Sequence, residues 1–214
     1  LAQDVLSVAG LVCLSCQMAG TVVRAFLEAH PRMSVSLIAV DRVTNLVEEG
    51  IDVAIRIGNL PDSNLMAKRL GHVRRLFVAS PAYLARHGTP KVPPDRKRHT
   101  MIGFTGILPS HDWHYNSGGT RGHVQLTPRF EVNDAPTALA AAIDGEGITM
   151  ALSYTVDEQL KRGELVPLLQ PFLPPPWAVH LVYPPSKLVA PKVRAFLDFA
   201  GERLKQMIPE VDLP

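Results

Sequence analysis

The pattern of apolar and polar positions changes period repeatedly along the chain, and each change marks an element. Leu6 to Leu11 is a short apolar run that predicts a strand, and Val12 to Gln17 a loop. Ala19, Val22, Val23, Phe26 and Leu27 then fall on an i, i+3, i+4, i+7, i+8 stripe. That spacing predicts a helix over Met18–Ala29 with one buried face, ended by Pro31. Val35, Leu37 and Ala39 alternate as a second strand. Asp41 can cap a short helix from Arg42 to Glu49, which Gly50 stops. Ile51 to Ile57 is almost wholly apolar and β-branched, with no alternation. Such a run predicts a strand covered on both faces. Gly58, Asn59 and Pro61 end it in a loop at the strand's carboxyl end, where open α/β sheets bind ligands.

The second half repeats this grammar. Leu76–Ala79 predicts a strand, and Ser80-Pro81 a helix start closed by Gly88. Thr89–Lys97 is proline-rich and basic, and is expected as a surface loop. Met101–Phe104 predicts a strand, and Leu108–Gly122 an irregular stretch or a hairpin tip. Asn133 and Asp134 open an alanine-rich helix over Ala135–Ile143, stopped by Gly145 and Gly147 before a buried strand, Ile148–Leu152. A helix over Thr155–Lys161, a proline-rich bend over Pro171–Trp177 and a strand over Val179–Tyr183 follow. The last helix starts at Pro191, with Val193, Phe196, Leu197, Ala200, Leu204 and Met207 on one face. Helices alternating with strands place the chain in the α/β class.

Composition narrows the function classes. Of 214 residues, 46% are apolar and 20% charged, ordinary for a globular protein. The formal net charge of +2 is too small to imply nucleic-acid binding by itself. No apolar run approaches membrane-spanning length. LAQDVLSVAG does not read as a signal peptide, so cytoplasmic residence is the default expectation.

Four stretches carry a family resemblance: Asn45–Leu65, Phe77–Gly88 (FVASPAYLARHG), Val132–Met150 (VNDAPTALAAAIDGEGITM) and Tyr183–Phe199 (YPPSKLVAPKVRAFLDF). In this order the chain resembles the effector-binding domain of LysR-type transcriptional regulators. The resemblance implies a two-lobed, periplasmic-binding-protein-like fold, each lobe a mixed sheet flanked by helices. Two crossover segments, near Leu76–Ser80 and Val179–Tyr183, would join the lobes. Residues 1–77 with 182–214 would form the first lobe and 78–181 the second. The family's N-terminal winged helix-turn-helix and linker helix have no counterpart here, so in this reading the chain is a fragment and DNA is contacted only through the absent part. The resemblance also implies a homodimer, with the helix Met18–Ala29 of one chain antiparallel beside Ala135–Ile143 of the other, and a tetramer in the full-length protein.

It further implies a small-molecule effector, often a carboxylate or an aromatic, bound between the lobes. One wall would be the loops after three strands: Leu11, Val12, Cys13, Ser15, Asp41, Gly58 and Asn59. The other would be Phe104, Thr105, Asn133, Asp134 and Ser153. Cys13 stands where the family commonly has serine or threonine, Leu11 replaces a frequent proline, and Ser15 a frequent glycine.

Candidate chemistry outside this frame is sparse. Cys13 and Cys16 form a C-x-x-C after a strand, as thiol oxidoreductases do, but VCLSCQ lacks the usual aromatic and Gly-Pro. His111 and His114 are three apart, with His99 and His123 nearby in sequence. No Cys or carboxylate is spaced to complete a metal site, so solvated loop histidines are expected. Glu48, Glu49 and Asp52 read as solvated or structural. Gly145-x-Gly147 follows a helix, so it is no dinucleotide fingerprint. No cofactor is implied. The expected function is effector sensing rather than catalysis. A transporter's solute-binding protein is the second reading, and a thiol oxidoreductase the third.

Overall fold

In the computed structural model the described residues are 5–10, 18–40, 44–60, 62–108, 110–117, 120–186 and 189–208. They fall into two compact units, residues 1–73 with 177–214, and residues 74–176. The expected changes of lobe, at 77/78 and 181/182, lie inside strands. The observed ones precede those strands, because the residues between are hydrogen-bonded into the sheet that follows.

The first unit is built on a five-stranded sheet. Strands β1 (Val5–Gly10), β2 (Ser34–Ala39) and β3 (Val53–Ile57) run parallel, in the order β2-β1-β3. Strand β12 (Trp177–Tyr183) pairs antiparallel with both β3 and β4 (Met66–Val73). Val8, Val53 and Leu181 are fully buried; Ala9, Ala54 and Val182, one residue on, point to the opposite face. There they form a second cluster with Leu46 and Ile51. This is why Ile51–Ile57 does not alternate. Helix α1 (Gly20–Ala29) buries Val22, Val23 and Phe26. The Phe26 ring meets Phe196 edge-on at 5.2 Å and Phe199 at 5.5 Å. Both phenylalanines belong to α5 (Pro191–Met207), whose predicted apolar stripe is buried except for half-buried Met207. Asp52 ties three pieces together. Its carboxylate accepts from the Ser7 N–H at 2.8 Å and the Lys192 ammonium at 2.9 Å, and Lys192 also donates to the Val5 carbonyl at 2.8 Å.

The second unit has the strand order β11-β5-β10-β6-β9. Strands β6 (Met101–Phe104), β9 (Pro128–Val132) and β10 (Ile148–Leu152) are parallel; β5 (Arg75–Ala79) runs against β10 and β11 (Val166–Leu168). Ser80 caps α2 (Pro81–His87) by accepting from the Tyr83 N–H. Helices α3 (Ala135–Ile143) and α4 (Ser153–Lys161) flank β10. Strands β7 (Asp112–Ser117) and β8 (Thr120–Gln125) form a separate antiparallel hairpin. It is held down by Trp113, which is 2% exposed and meets the Phe77 ring at 4.6 Å. Tyr115 lies across Gly122 on the same side. A Cβ at Gly122 would sit 2.4 Å from the Tyr115 ring, so only glycine permits that approach.

Several expectations are corrected. The short helix over Arg42–Glu49 is replaced, in its described part, by hydrogen-bonded turns: Glu49 N–H to Asn45 O at 3.0 Å and Ile51 N–H to Leu46 O at 2.8 Å. Asn45 and Glu49 bond each other's turn through their side chains, a local alternative that competes with a helix this short. The proline-rich stretch contains a 3-10 helix, Pro93–Arg98, drawn in by Asp95 accepting from Lys91 and Val92 N–H. Strands β4, β9 and β11 have no counterpart in the sequence reading. All three lie at sheet edges and carry Lys68, Arg69, His72, Arg129, Glu131 or proline, as edges do.

Candidate functional site

Each unit gathers its candidate residues at the carboxyl ends of parallel strands. In the first unit β1, β2 and β3 end on one side of the sheet, at Gly10, Ala39 and Ile57. Leu11, Val12, Cys13, Ser15 and Asp41, with Cys16, lie outside the described residues. Gly58 follows β3 directly. Its φ of +102° is strained for any side chain, and its N–H is held by the Ala178 carbonyl at 2.9 Å. The chain thereby turns sharply off the sheet and leaves Asn59 exposed.

In the second unit the order β10-β6-β9 brings Ser153, Phe104 with Thr105, and Asn133 with Asp134 to one sheet edge. Phe104 is 8% exposed, with its ring close under Gly106. Thr105 is half-buried, its N–H bonded to the Val132 carbonyl at 3.1 Å. Asn133 is exposed. Asp134 caps α3, accepting from the Thr137 hydroxyl at 2.5 Å and the Thr137 N–H at 2.9 Å. These bonds, the hydroxyl's first, hold its carboxyl below the usual carboxylate range. Ser153 is buried, and its hydroxyl accepts from the Arg74 N–H at 3.1 Å, so its polar atom is already engaged. Beneath Phe104, between Phe77, Met101 and Met150, a cavity of about 10 Å³ has room for one water and no effector.

Among the described residues no group of three or more His, Cys, Asp or Glu side chains could hold a metal. His111 lies against the Glu131 carboxylate rather than free in a loop. His114 and His123 stand directly opposite each other across the β7–β8 hairpin. The sequence reading missed that pairing because it depends on the register of a hairpin left open as one of two alternatives.

Two other histidines have shifted proton affinities. Burial first, then the charges of Arg69 and His72, hold His180 below the ordinary histidine range. Burial, then His87, does the same to His99. A histidine with a depressed folded-state pKa binds protons more readily when unfolded. Stability is therefore full above the unfolded value of about 6.5 and falls as pH drops through it. The thermal midpoint is expected to be lower at pH 5.5 than at pH 7.5. In the double variant His99→Phe/His180→Leu that difference should shrink; an unchanged difference would assign it to other groups.

Two α/β units, between which the chain passes twice, define the periplasmic-binding-protein-like class. Within that class the chain belongs to the LysR substrate-binding domain family, whose model matches residues 1–205. It is 30% identical over 210 residues to the transcriptional regulator CrgA of Neisseria meningitidis, covering 94% of this chain and 68% of CrgA. It is 33% identical over 182 residues to the regulator PtxR of Pseudomonas aeruginosa, covering 84% of this chain and 58% of PtxR. The CrgA regulatory domain superposes with a TM-score of 0.82 at 30% identity, covering 94% of this chain and 99% of that domain. The Vibrio cholerae virulence activator AphB gives a TM-score of 0.82 at 27% identity, covering 92% of this chain and 67% of AphB. These relatives are transcriptional regulators, neither transporter components nor oxidoreductases. No helix among the described residues is long and apolar enough to cross a membrane.

Proposed function

We propose that this chain senses a small-molecule effector for a cytoplasmic, DNA-binding transcriptional regulator, and that it is a sensor without catalytic activity. The match over residues 1–205 carries this reading. DNA would be contacted by a segment outside the chain, and the effector domains would pair as homodimers within a tetramer. The ligand, a small carboxylate or aromatic, would be held by two sets of loops. One is Leu11, Val12, Cys13, Ser15, Asp41, Gly58 and Asn59; the other is Phe104, Thr105, Asn133, Asp134 and Ser153. Loops that follow parallel strands are where α/β sheets present backbone N–H groups and helix starts to a ligand. Binding would act by favouring one arrangement of the oligomer, in proportion to its differential affinity.

A thermal-shift screen of small carboxylates and aromatics tests this. A ligand at about 100 times its Kd stabilises the folded chain by about 2.7 kcal/mol. In Thr105→Trp and Cys13→Trp the shift should disappear while the ligand-free midpoint stays. Unchanged affinity in both folded variants would place the site elsewhere.

A further inference from the structure

We propose that His114 and His123 together chelate one first-row transition-metal ion of the kind imidazole prefers, Cu²⁺, Ni²⁺ or Zn²⁺. The two are a cross-strand pair in the β7–β8 hairpin, with ring centroids 6.1 Å apart and planes inclined at 36°. Two imidazoles on one tetrahedral ion, with metal–nitrogen distances of about 2.0–2.1 Å, have ring centroids about 5 Å apart. Small side-chain rotations on a fixed backbone close the difference of about 1 Å.

The backbone is fixed for a reason separate from the histidines. Strand residues alternate between faces, so burying Trp113 against Phe77, and Tyr115 across Gly122, turns the 114 and 123 positions outward. Both histidines are exposed accordingly. Neither is engaged in an ion pair or hydrogen bond described for the chain, unlike His111 with Glu131. The register brings both donors to one place before any metal arrives, so the second bond forms within the chain at high effective concentration. Two ligands leave coordination positions open to water. Along the same face, Asp112 extends the site on one side and Arg121 bounds it on the other. Imidazole donors favour copper, nickel and zinc over magnesium or calcium, which take oxygen ligands.

The test uses the whole 214-residue chain carrying Cys13→Ser and Cys16→Ser, so that thiolates contribute nothing. Titration with NiCl₂ by calorimetry should show one ion per chain. His114→Ala and His123→Ala should each weaken binding at least about tenfold, and the double variant should add little, because both residues share one ion. With CuCl₂, the electron paramagnetic resonance pattern should report two imidazole nitrogens, falling to one in either single variant. His111→Gln should leave both signals unchanged. Equal circular dichroism spectra for all variants would confirm that the hairpin persists. Nickel affinity unaffected by either single variant, or losses that simply add, would overturn the proposal and leave the pair as a solvated face of the hairpin.

Discussion

Phe26→Ala should destabilise the first unit by about 3–5 kcal/mol, the range for truncating a buried phenylalanine. Phe26 is fully buried on α1 and makes edge contacts with Phe196 and Phe199, besides stacking on His30 at 4.3 Å. Its ring is the main link between α1 and α5. The loss combines the transfer energy of the ring with a cavity that two rigid neighbours cannot collapse into. Leu27→Ala, one residue on and half-buried, should cost clearly less. Urea unfolding followed by far-ultraviolet circular dichroism measures both. A loss below about 1 kcal/mol for Phe26→Ala would mean that the helices are held together by other contacts.

Trp113→Ala should cost about as much in the second unit, again about 3–5 kcal/mol. Trp113 is the largest fully buried side chain of the structure, and it comes from a hairpin with no strand partner in the main sheet. Two strands alone are marginal in water, so the hairpin depends on this anchor. Trp113→Phe should recover much of the loss by refilling the contact with Phe77. Amide hydrogen exchange would show protection over Asp112–Gln125 lost in the alanine variant while β10 and α3 keep theirs. Retained protection across the hairpin would show that Tyr115 and its neighbours suffice.

How much of this was legible in the sequence depended on where each residue sits. The stripe from Ala19 to Leu27 and the one from Val193 to Leu204 were readable because a helix packed on one face leaves a periodic trace. Ser80-Pro81 and Asp134 were readable because capping is local chemistry, and both caps are seen. Strand β4 was not, because Lys68 and Arg69 face partners supplied by α5 and by β12, more than a hundred residues away. The turns at 44–50 misled because apolar spacing compatible with a helix also suits a chain folding Leu46 and Ile51 onto a sheet. At the candidate site the strand ends that gather Phe104, Thr105, Asn133 and Asp134 followed from the order of elements. That Ser153 spends its hydroxyl on Arg74 did not, since that bond joins residues 79 positions apart.

The route of the chain through its two units has a consequence for synthesis. Strands β3 and β4 are consecutive in sequence, yet they are not neighbours: β12 lies between them. As the chain leaves the ribosome, both strands emerge with a facing edge and nothing to fill the gap. The contiguous second unit, residues 74–176, can close completely while the first still waits. Only then do β12 and α5 arrive, one as the missing plank and the other to cover Phe26. A nascent chain halted before Trp177 would therefore carry a finished younger unit beside an older one open at its centre.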